Sequence, residues 1–182
     1  METISEGIEM VRTDGRICSN VYLVSAWDGS GKILLIDAGD GRLPEVARLE
    51  PELVLLTHGH YDHTRGVRGG WQALLHRNDF SGDRFISAPA HAEPYPREMR
   101  IKWRGREFEM LHTPGHTPGC VSIFERKSGV LFSGDTLFAD GVLGRTDLGF
   151  GSEADIVKSE KLLERLGFSL LCPGHGDIET RK

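Results

Sequence analysis

The stretch Thr57–His63 reads T-H-G-H-Y-D-H and directly follows the apolar run Leu53–Leu56. It places three histidines and an aspartate within six consecutive residues. Imidazole and carboxylate groups at such close spacing are typical ligands of a divalent metal, and a strand that ends in a glycine-containing turn can direct several of them at one point. The competing interpretation is a polar surface turn. We predict a strand that leads into a metal site.

The composition of the chain indicates a globular protein with a small-molecule partner. Its 182 residues are enough to bury a sizeable core and no segment resembles a linker, so we expect a single domain over residues 1–182. The net charge of −5 argues against nucleic-acid and membrane partners. The amino terminus has no signal-peptide pattern, and no later run is apolar enough to cross a bilayer. We therefore expect a cytoplasmic protein, with its oligomeric state left open.

The cysteines are three in number and widely separated, at Cys18, Cys120 and Cys172. This pattern predicts neither a disulfide framework nor a C-x-x-C zinc site. We interpret all three as small buried residues. The alternative, a ligand or redox role, applies to Cys120 and Cys172 because each lies close to a histidine motif.

Hydrophobic periodicity predicts more strands than helices. The predicted strands are Val21–Ser25, Lys32–Asp37, Leu53–Thr57, Glu107–His112, Val121–Glu125, Val130–Ser133 and Ser169–Cys172. The predicted helices are Leu43–Leu49, Trp71–Arg77 and Glu153–Leu166, the last followed by Gly167. Hairpin-like pairs beside strand-helix-strand units indicate a mixed α and β class.

Four further motifs place a chemically active side chain in a turn. They are P-G-H-T-P-G at 114–119, S-G-D-T at 133–136, G-R-T-D at 144–147 and P-G-H-G at 173–176. Glycine beside a ligand lets the backbone approach a metal closely, and proline stiffens the loop, so the ligand has less conformational freedom to lose. Singly, His116, Asp135 and His175 would more often be caps or surface residues than ligands. Their ordered recurrence favours one shared site.

In order and spacing, T-H-G-H-Y-D-H, P-G-H-T-P-G, S-G-D-T and P-G-H-G resemble the motifs of the metallo-β-lactamase-fold hydrolases. The resemblance covers nearly the whole chain, and the ordered set is specific although each motif alone is weak. It implies an α+β fold in which two mixed β-sheets form an αββα sandwich flanked by helices. The site is then expected along one edge, where strands end.

The resemblance also assigns metal ligands. One ion would be held by His58, His60 and His116, a second by Asp62, His63 and His175, and Asp135 would bridge them. Asp62 and Asp135 are the carboxylates expected to act in catalysis. Three or four protein ligands per ion leave room for a water, whose pKa falls from about 15.7 to about 7 on Zn²⁺. We expect two divalent ions, zinc first, with iron and manganese as chemically acceptable alternatives.

The S-G-D-T-L-F and G-R-T-D segments look most like the glyoxalase II branch of this family and the related persulfide dioxygenases. The implied activity is hydrolysis of a small-molecule thioester such as an acyl-glutathione, to a carboxylic acid and a thiol, by a metal-bound hydroxide. Long glyoxalase II proteins carry a carboxy-terminal helical region that supplies much of the glutathione contact, and no counterpart follows His175. The thiol half of the substrate therefore stays open.

Three other functions remain as alternatives. A persulfide dioxygenase of the same fold would hold one iron on His58, His116 or His60, and Asp135, with open positions for oxygen. A nuclease would use the basic segment Arg100–Arg106 against phosphate, although the acidic balance of the chain opposes it. A metal-stabilised binding domain would need the same ligands for stability and show no turnover.

Several other side chains each have two interpretations. Asp37 either orients a ligand histidine or forms a turn, and His112 either packs behind the site or approaches it. The alternating cations from Arg100 to Arg106 form one solvated strand face or an anion contact. Arg145 and Asp147 either fix a glycine-rich turn or serve the substrate and the metal loop. Three aromatic residues line a pocket or belong to the core, namely Tyr61, Phe138 and Phe150.

Overall fold

The computed structural model describes residues 1–12, 18–95 and 98–181. Within these residues the first sheet has seven strands, which lie side by side in chain order. They are β1 (Glu2–Ser5), β2 (Ile8–Val11), β3 (Val21–Ser25), β4 (Ile33–Ile36), β5 (Leu53–Leu55), β6 (Ala73–His76) and β7 (Ala92–Tyr95). The pairs from β1 to β4 are antiparallel and those from β4 to β7 are parallel, so the sheet is mixed.

The second sheet has six strands among the described residues. They are β8 (Met99–Trp103), β9 (Arg106–His112), β10 (Val121–Glu125), β11 (Val130–Gly134), β12 (Leu170–Pro173) and β13 (Glu179–Thr180). They lie in the order β13-β12-β11-β10-β9-β8, and β11 pairs with β12 in parallel while the other pairs are antiparallel. The helices are α1 (Pro44–Ala47), α2 (Tyr61–Thr64) and α3 (Glu153–Leu163).

The main core lies between the two sheets. Leu34 and Ile36 of β4 point into it and meet Phe108, Ile123 and Phe132 of the second sheet, all of them fully buried. Burying a side chain of this size stabilises the fold by about 1.5–3 kcal/mol. Alternate residues of the same strands face outward and are covered in turn, which is why β4 reads as an uninterrupted apolar run.

The outer face of each sheet is covered by a helix. Leu35 and Val54 pack with Val46 of α1 on the first sheet. Leu131 packs with Leu163 of α3 on the second. The expected sandwich of two mixed sheets flanked by helices is therefore confirmed. Within the described residues, no helix combines the length and apolar character needed to span a bilayer.

The carboxyl ends of the parallel strands bring the two sheets together at one edge. The Val121 amide, at the start of β10, donates to the Thr57 carbonyl just after β5 at 2.8 Å. Gly134, at the end of β11, has φ of +53°, and a Cβ there would lie 2.7 Å from the Thr57 Cβ. Only glycine combines this backbone conformation with such close contact. The loops that follow β5, β11 and β12 consequently converge.

The secondary structure corrects one predicted helix and shortens two others, of which Leu43–Leu49 is reduced to Pro44–Ala47. The segment Trp71–Arg77, predicted as a helix, contains β6, because Ala73 and Leu74 pair in parallel with Val54 and Leu55 of β5. A short apolar run has no periodicity that separates strand from helix, and sheet pairing decides. The helix predicted over Glu153–Leu166 ends at Leu163.

The basic segment from Arg100 to Arg106 is not one solvated strand face. Arg104 has φ of +47° and Gly105 has φ of +86°, so the chain turns there between β8 and β9. Arg106 lies beyond the turn and is buried, with only 1% of its surface exposed. Arg100 remains at the surface and pairs with Glu109 at 2.9 Å. The predicted alternation therefore holds in β8. Arg104 is exposed as predicted but lies in the turn, and the prediction is wrong for the buried Arg106.

Candidate metal centre

The seven residues predicted as metal ligands come together at the converging edge of the sheets. His58 and His60 follow β5, Asp62 and His63 lie in α2, His116 lies in the loop between β9 and β10, Asp135 follows β11 and His175 follows β12. Six of them are buried, and the side chain of His175 is 31% exposed. The cluster is thus largely shielded from bulk water, and it is open toward the pocket described below.

His58, His60 and His116 form what we call the three-histidine set. One ring nitrogen from each lies within 4.8 Å of the others. His60 Nδ1 and His116 Nε2 are only 2.9 Å apart. Three imidazole nitrogens converging from two loops are the donor arrangement that zinc and similar ions accept.

Asp62, His63 and His175 form what we call the mixed set, whose ligand atoms also lie within 4.8 Å of one another. His175 Nε2 is 3.2 Å from Asp62 Oδ2 and 3.3 Å from His63 Nε2. Two imidazoles and a carboxylate are also suitable ligands for a divalent ion. The cluster therefore contains two groups that can each hold a metal.

Asp135 lies between the two sets. Its Oδ2 is 3.5 Å from His116 Nε2 and 3.5 Å from His175 Nε2, and its Oδ1 is 3.4 Å from His63 Nε2. It also groups with His58 and His63 as a third possible ligand trio. A carboxylate so placed can give one oxygen to each of two ions, which is the position that the bridging role requires.

Asp37 orients two of the histidines from behind. It follows β4 with φ of +58°, a conformation that aspartate tolerates better than most residues. Its carboxylate accepts from His63 Nδ1 at 2.7 Å, from the Thr57 hydroxyl at 2.8 Å and from the Thr57 amide at 2.8 Å. The same hydroxyl lies 3.2 Å from His58 Nδ1. Of the two interpretations of Asp37, orientation of a ligand histidine agrees with the geometry.

His60 and His116 are held in the same manner by different acceptors. His116 Nδ1 donates to the Arg145 carbonyl at 2.8 Å, and His60 Nε2 lies 3.3 Å from Asp83 Oδ2. A proton on the outer nitrogen leaves the inner nitrogen with its lone pair directed into the cluster. These hydrogen bonds therefore select the tautomers that a metal needs.

The cluster is electrostatically suited to positive charge. Burial alone would lower the pKa of His63, but the Asp37 and Asp135 carboxylates outweigh it and raise that pKa well above its usual range. Burial would raise the pKa of Asp135, yet His63 and His175 hold it well below its usual range. At His175 the neighbouring carboxylates outweigh burial and raise the pKa to about 9. The carboxylates thus stay ionised and favour a cation beside them.

Two buried atoms fit a metal directly. His58 Nε2 and Asp135 Oδ1 make no hydrogen bond to any group that the structure describes. A buried polar atom without a partner costs about 1–3 kcal/mol. Both atoms face the cluster, and imidazole with carboxylate is a donor set that zinc, iron and manganese all accept. The residues present therefore fit the metal that the sequence predicts.

Sequence reasoning missed Asp79, which ends the short 3-10 turn Arg77–Asp79 after β6. Its carboxylate accepts from the Gly59 amide at 2.8 Å, from the Thr117 hydroxyl at 2.6 Å and from the Gly119 amide at 2.7 Å. Burial raises the pKa of Asp79, and these three donors oppose the rise. The strand before it was predicted as a helix, which left Asp79 without an apparent role.

A pocket of about 400 Å³ opens beside the cluster. Its lining residues are His60, Tyr61, Asp62, Phe85, His116, Asp135, Phe138, Arg145, Leu148 and His175. Tyr61 and Phe138 therefore line a pocket, one of their two predicted roles, whereas Phe150 is 63% exposed. Phe85 and Leu148 complete the apolar wall and were not predicted. The site combines metal-ligating groups with an apolar surface for substrate.

Arg145 and Asp147 fix the loop that passes the pocket. The guanidinium binds the carboxylate through two hydrogen bonds, each of 2.7 Å, and both side chains are largely exposed. The same loop supplies the carbonyl that holds His116. The turn-fixing interpretation and support of the metal loop therefore apply together.

The remaining candidates have structural roles. His112 Nε2 donates to the Pro118 carbonyl at 2.9 Å, and its ring stacks on His76 with centroids 4.4 Å apart. Its packing role behind the site is confirmed. All three cysteines are buried and free, as expected.

The two mixed sheets and the histidine-aspartate cluster at their edge define the class of the protein as an αββα sandwich with a candidate metal centre. A family model described as the metallo-beta-lactamase superfamily matches residues 15–74 and 68–175. The chain therefore belongs to the metallo-beta-lactamase superfamily, whose members are generally hydrolytic enzymes.

Individual relatives agree with this assignment. The chain is 32% identical over 183 residues to "Hydroxyacylglutathione hydrolase GloC" of Haemophilus influenzae, with 85% of this chain and 84% of that protein covered. It resembles the crystal structure of BLEG-1 B3 metallo-beta-lactamase with a TM-score of 0.79 and 28% identity, covering 95% of this chain and 93% of that one. It resembles TTHA1623 in a di-iron-bound form with a TM-score of 0.73 and 30% identity, covering 94% of each chain.

Proposed function

We propose that this protein is a binuclear metal-dependent hydrolase that cleaves thioesters in the manner of glyoxalase II. The observation that carries the proposal is the position of Asp135, whose Oδ2 is 3.5 Å from both His116 Nε2 and His175 Nε2. This distance supports a carboxylate shared by two ions. The similarity to a hydroxyacylglutathione hydrolase supports a thioester as the substrate class.

The three-histidine set would hold one ion, the mixed set the other, and Asp135 would bridge them. Bound divalent ions supply a water acidic enough to attack a carbonyl at neutral pH, and a positive charge that stabilises the developing oxyanion. The chain's own part is to hold the ligands rigidly through Asp37, Asp83 and the Arg145 carbonyl. The apolar wall packs the substrate and excludes bulk water.

The cysteines support a mechanism without a protein nucleophile. Burial raises the pKa of the Cys18 thiol to about 11, and it also raises the pKa values of Cys120 and Cys172. The thiolate is the reactive form of cysteine, so none of these groups is available for attack at neutral pH. The carboxylates of Asp62 and Asp135 line the pocket, where we propose that they act in catalysis.

Metal analysis combined with a thiol-release assay tests the proposed function. Protein purified without added metal is expected to contain two ions per chain and to release thiol from S-lactoylglutathione, as followed with a thiol-reactive dye. A chelator should abolish turnover, and zinc, iron or manganese should restore it. One bound iron with oxygen uptake on a persulfide, and no thiol release, would contradict the proposal and support the dioxygenase.

Two arginines beside the pocket predict an anionic substrate. Arg65 lies 4.8 Å from the ring centroid of Tyr61, and Arg84 lies 4.8 Å from that of Phe85. Tyr61 and Phe85 both line the pocket, and the Tyr61 amide donates to the Phe85 carbonyl at 2.9 Å, so the two guanidinium groups contact neighbouring aromatic residues of the pocket wall. Both arginines are exposed, and no described carboxylate forms an ion pair with either. Such groups are suited to a carboxylate at the thiol end of the substrate.

The double variant Arg65→Gln/Arg84→Gln is expected to raise KM for S-lactoylglutathione about fivefold to tenfold, since tenfold corresponds to about 1.4 kcal/mol. The value of kcat should change little, because the reacting carbonyl is untouched. KM for the lactoyl thioester of N-acetylcysteamine, which carries no carboxylate on its thiol half, should not change. Arg48→Gln, an exposed arginine at the end of α1, is the matched control. Equal rises in KM for both thioesters would contradict the prediction.

A further inference from the structure

Asp79 belongs to neither ligand set, yet its carboxylate contacts both loops that carry the three-histidine set. Gly59, whose amide it accepts at 2.8 Å, lies between His58 and His60 in the sequence. Thr117 and Gly119, which donate at 2.6 and 2.7 Å, directly follow His116. The side chain is fully buried at 0% exposure. One carboxylate thus joins two loops that are far apart in the sequence.

The two glycines are needed for this contact. A Cβ on Gly59 would lie 2.6 Å from the Asp79 carbonyl oxygen, and one on Gly119 would lie 2.4 Å from Asp79 Oδ1. Both distances are shorter than any non-bonded contact that backbone or buried atoms accept. The sequence suggested that glycine beside a ligand lets the backbone approach the metal. At these two positions glycine lets the backbone approach Asp79.

The carboxylate cannot be replaced by a neutral group of the same shape without a mismatch. Its two oxygens accept from three donors, and an ionised carboxylate has only acceptor positions. Asparagine would direct an NH2 group at an amide or hydroxyl donor, which leaves buried hydrogen-bonding groups unsatisfied. Asp79→Asn therefore loosens the join between the loops while it preserves the volume of the side chain.

We propose that Asp79 is a positioning residue that sets the geometry of the three-histidine set, and so controls the affinity for the ion held there rather than for the ion of the mixed set. The proposal rests on the proposed binuclear centre. Asp37 mainly supports the mixed set, because it contacts His63 directly and reaches His58 only through Thr57. The two buried carboxylates therefore support different parts of one centre.

The test uses two backgrounds in which a single set remains. Asp62→Ala/His175→Ala retains the three-histidine set, and His60→Ala/His116→Ala retains the mixed set. Zinc affinity is measured in each by competition with a chromophoric chelator, with and without Asp79→Asn. We expect Asp79→Asn to weaken zinc binding about 10-fold to 100-fold in the first background, the range found when a group that orients a ligand is removed. In the second background, affinity should change less than twofold.

Two threonine variants complete the design. Thr117→Val removes one of the three donors and should weaken zinc binding in the first background by a smaller factor. It decides the question if circular dichroism shows that Asp79→Asn does not fold. Thr113→Val is the matched control, because its buried hydroxyl lies 3.0 Å from Ser122 Oγ and does not contact Asp79.

Four outcomes bear on the proposals. Equal weakening in both backgrounds, or no weakening in the first, would overturn the positioning role. Absence of zinc binding by both backgrounds would count against the centre itself. Because the readout is metal affinity, absence of thiol release from the parent protein would refute the thioesterase while leaving the positioning role intact.

Discussion

Asp135→Ala is expected to abolish thiol release, with kcat/KM reduced by about 10³-fold or more, the loss that follows removal of one strongly stabilising electrostatic group from an active site. Asp135 lies between the two ligand sets, within 3.5 Å of His116 Nε2 and of His175 Nε2. In the proposed centre its removal would leave each set without the shared carboxylate that bridges the two ions. The metal content should fall below two ions per chain.

Asp155→Asn is the matched control for this variant. Asp155 lies in the first turn of α3, where it binds Lys158 at 2.8 Å and does not face the pocket. Both its turnover and its metal content should equal those of the parent protein. If Asp135→Ala kept its thiol release while it remained folded by circular dichroism, the bridging mechanism would be wrong.

Most of the candidate ligand residues could be predicted because they lie in loops that follow strands, whereas Asp62 and His63 lie in the short helix α2 just after the first of these loops. T-H-G-H-Y-D-H after β5 and S-G-D-T at the end of β11 are local patterns. They can be recognised in the sequence without knowing which strands pair. Their order then matched a known family. The convergence itself depends on which strands pair, and parallel β4-β5 and β11-β12 pairing follows from contacts distant in the sequence.

Asp79 and Asp37 illustrate what local patterns omit. Asp79 acts on Gly59 and Gly119, which lie 20 and 40 positions away in the sequence. Asp37 acts on His63, 26 positions away, and could be described only as one of two alternatives. A buried carboxylate in a turn looks the same in the sequence whether it caps its own loop or joins two others. Only the fold separates these roles.

The prediction for the basic segment Arg100–Arg106 was wrong at Arg106 for a related reason. Alternating cations predict a solvated strand face, but this pattern does not show whether the chain turns within the segment. Arg104 and Gly105 both have positive φ, so the chain reverses and Arg106 enters the other strand of the hairpin. There it becomes buried, where a charge is costly unless it is paired, and Glu125 supplies the opposite charge at 3.5 Å. Arg106, which was predicted to be at the surface, is therefore part of the buried interior.

Replacing Arg106 by methionine is expected to lower the free energy of unfolding by about 3–5 kcal/mol, the cost of leaving one member of a buried ion pair alone. Arg106 Nη1 is 3.5 Å from Glu125 Oε2, and both side chains are 0% exposed. Its Nε donates to the Ser25 carbonyl at 2.8 Å, and its Nη2 donates to the Glu6 carbonyl at 3.1 Å. The guanidinium also lies 4.0 Å from the ring centroid of Trp27. Urea denaturation measures the loss.

The double variant Arg106→Met/Glu125→Leu separates the causes of this instability. Because it removes both charges, it should recover a large part of the lost stability, as apolar replacements of buried ion pairs often do. Arg126→Met, whose exposed side chain pairs with Glu109, is the matched control and should cost about 1 kcal/mol or less. Arg106 and the metal cluster lie at opposite ends of β9, about 20 Å apart at 3.3 Å per residue, so kcat/KM of the folded fraction should be unchanged. If the double variant were as unstable as Arg106→Met, the lost hydrogen bonds to the carbonyls of Ser25 and Glu6 would be the cause, and the unpaired carboxylate would not.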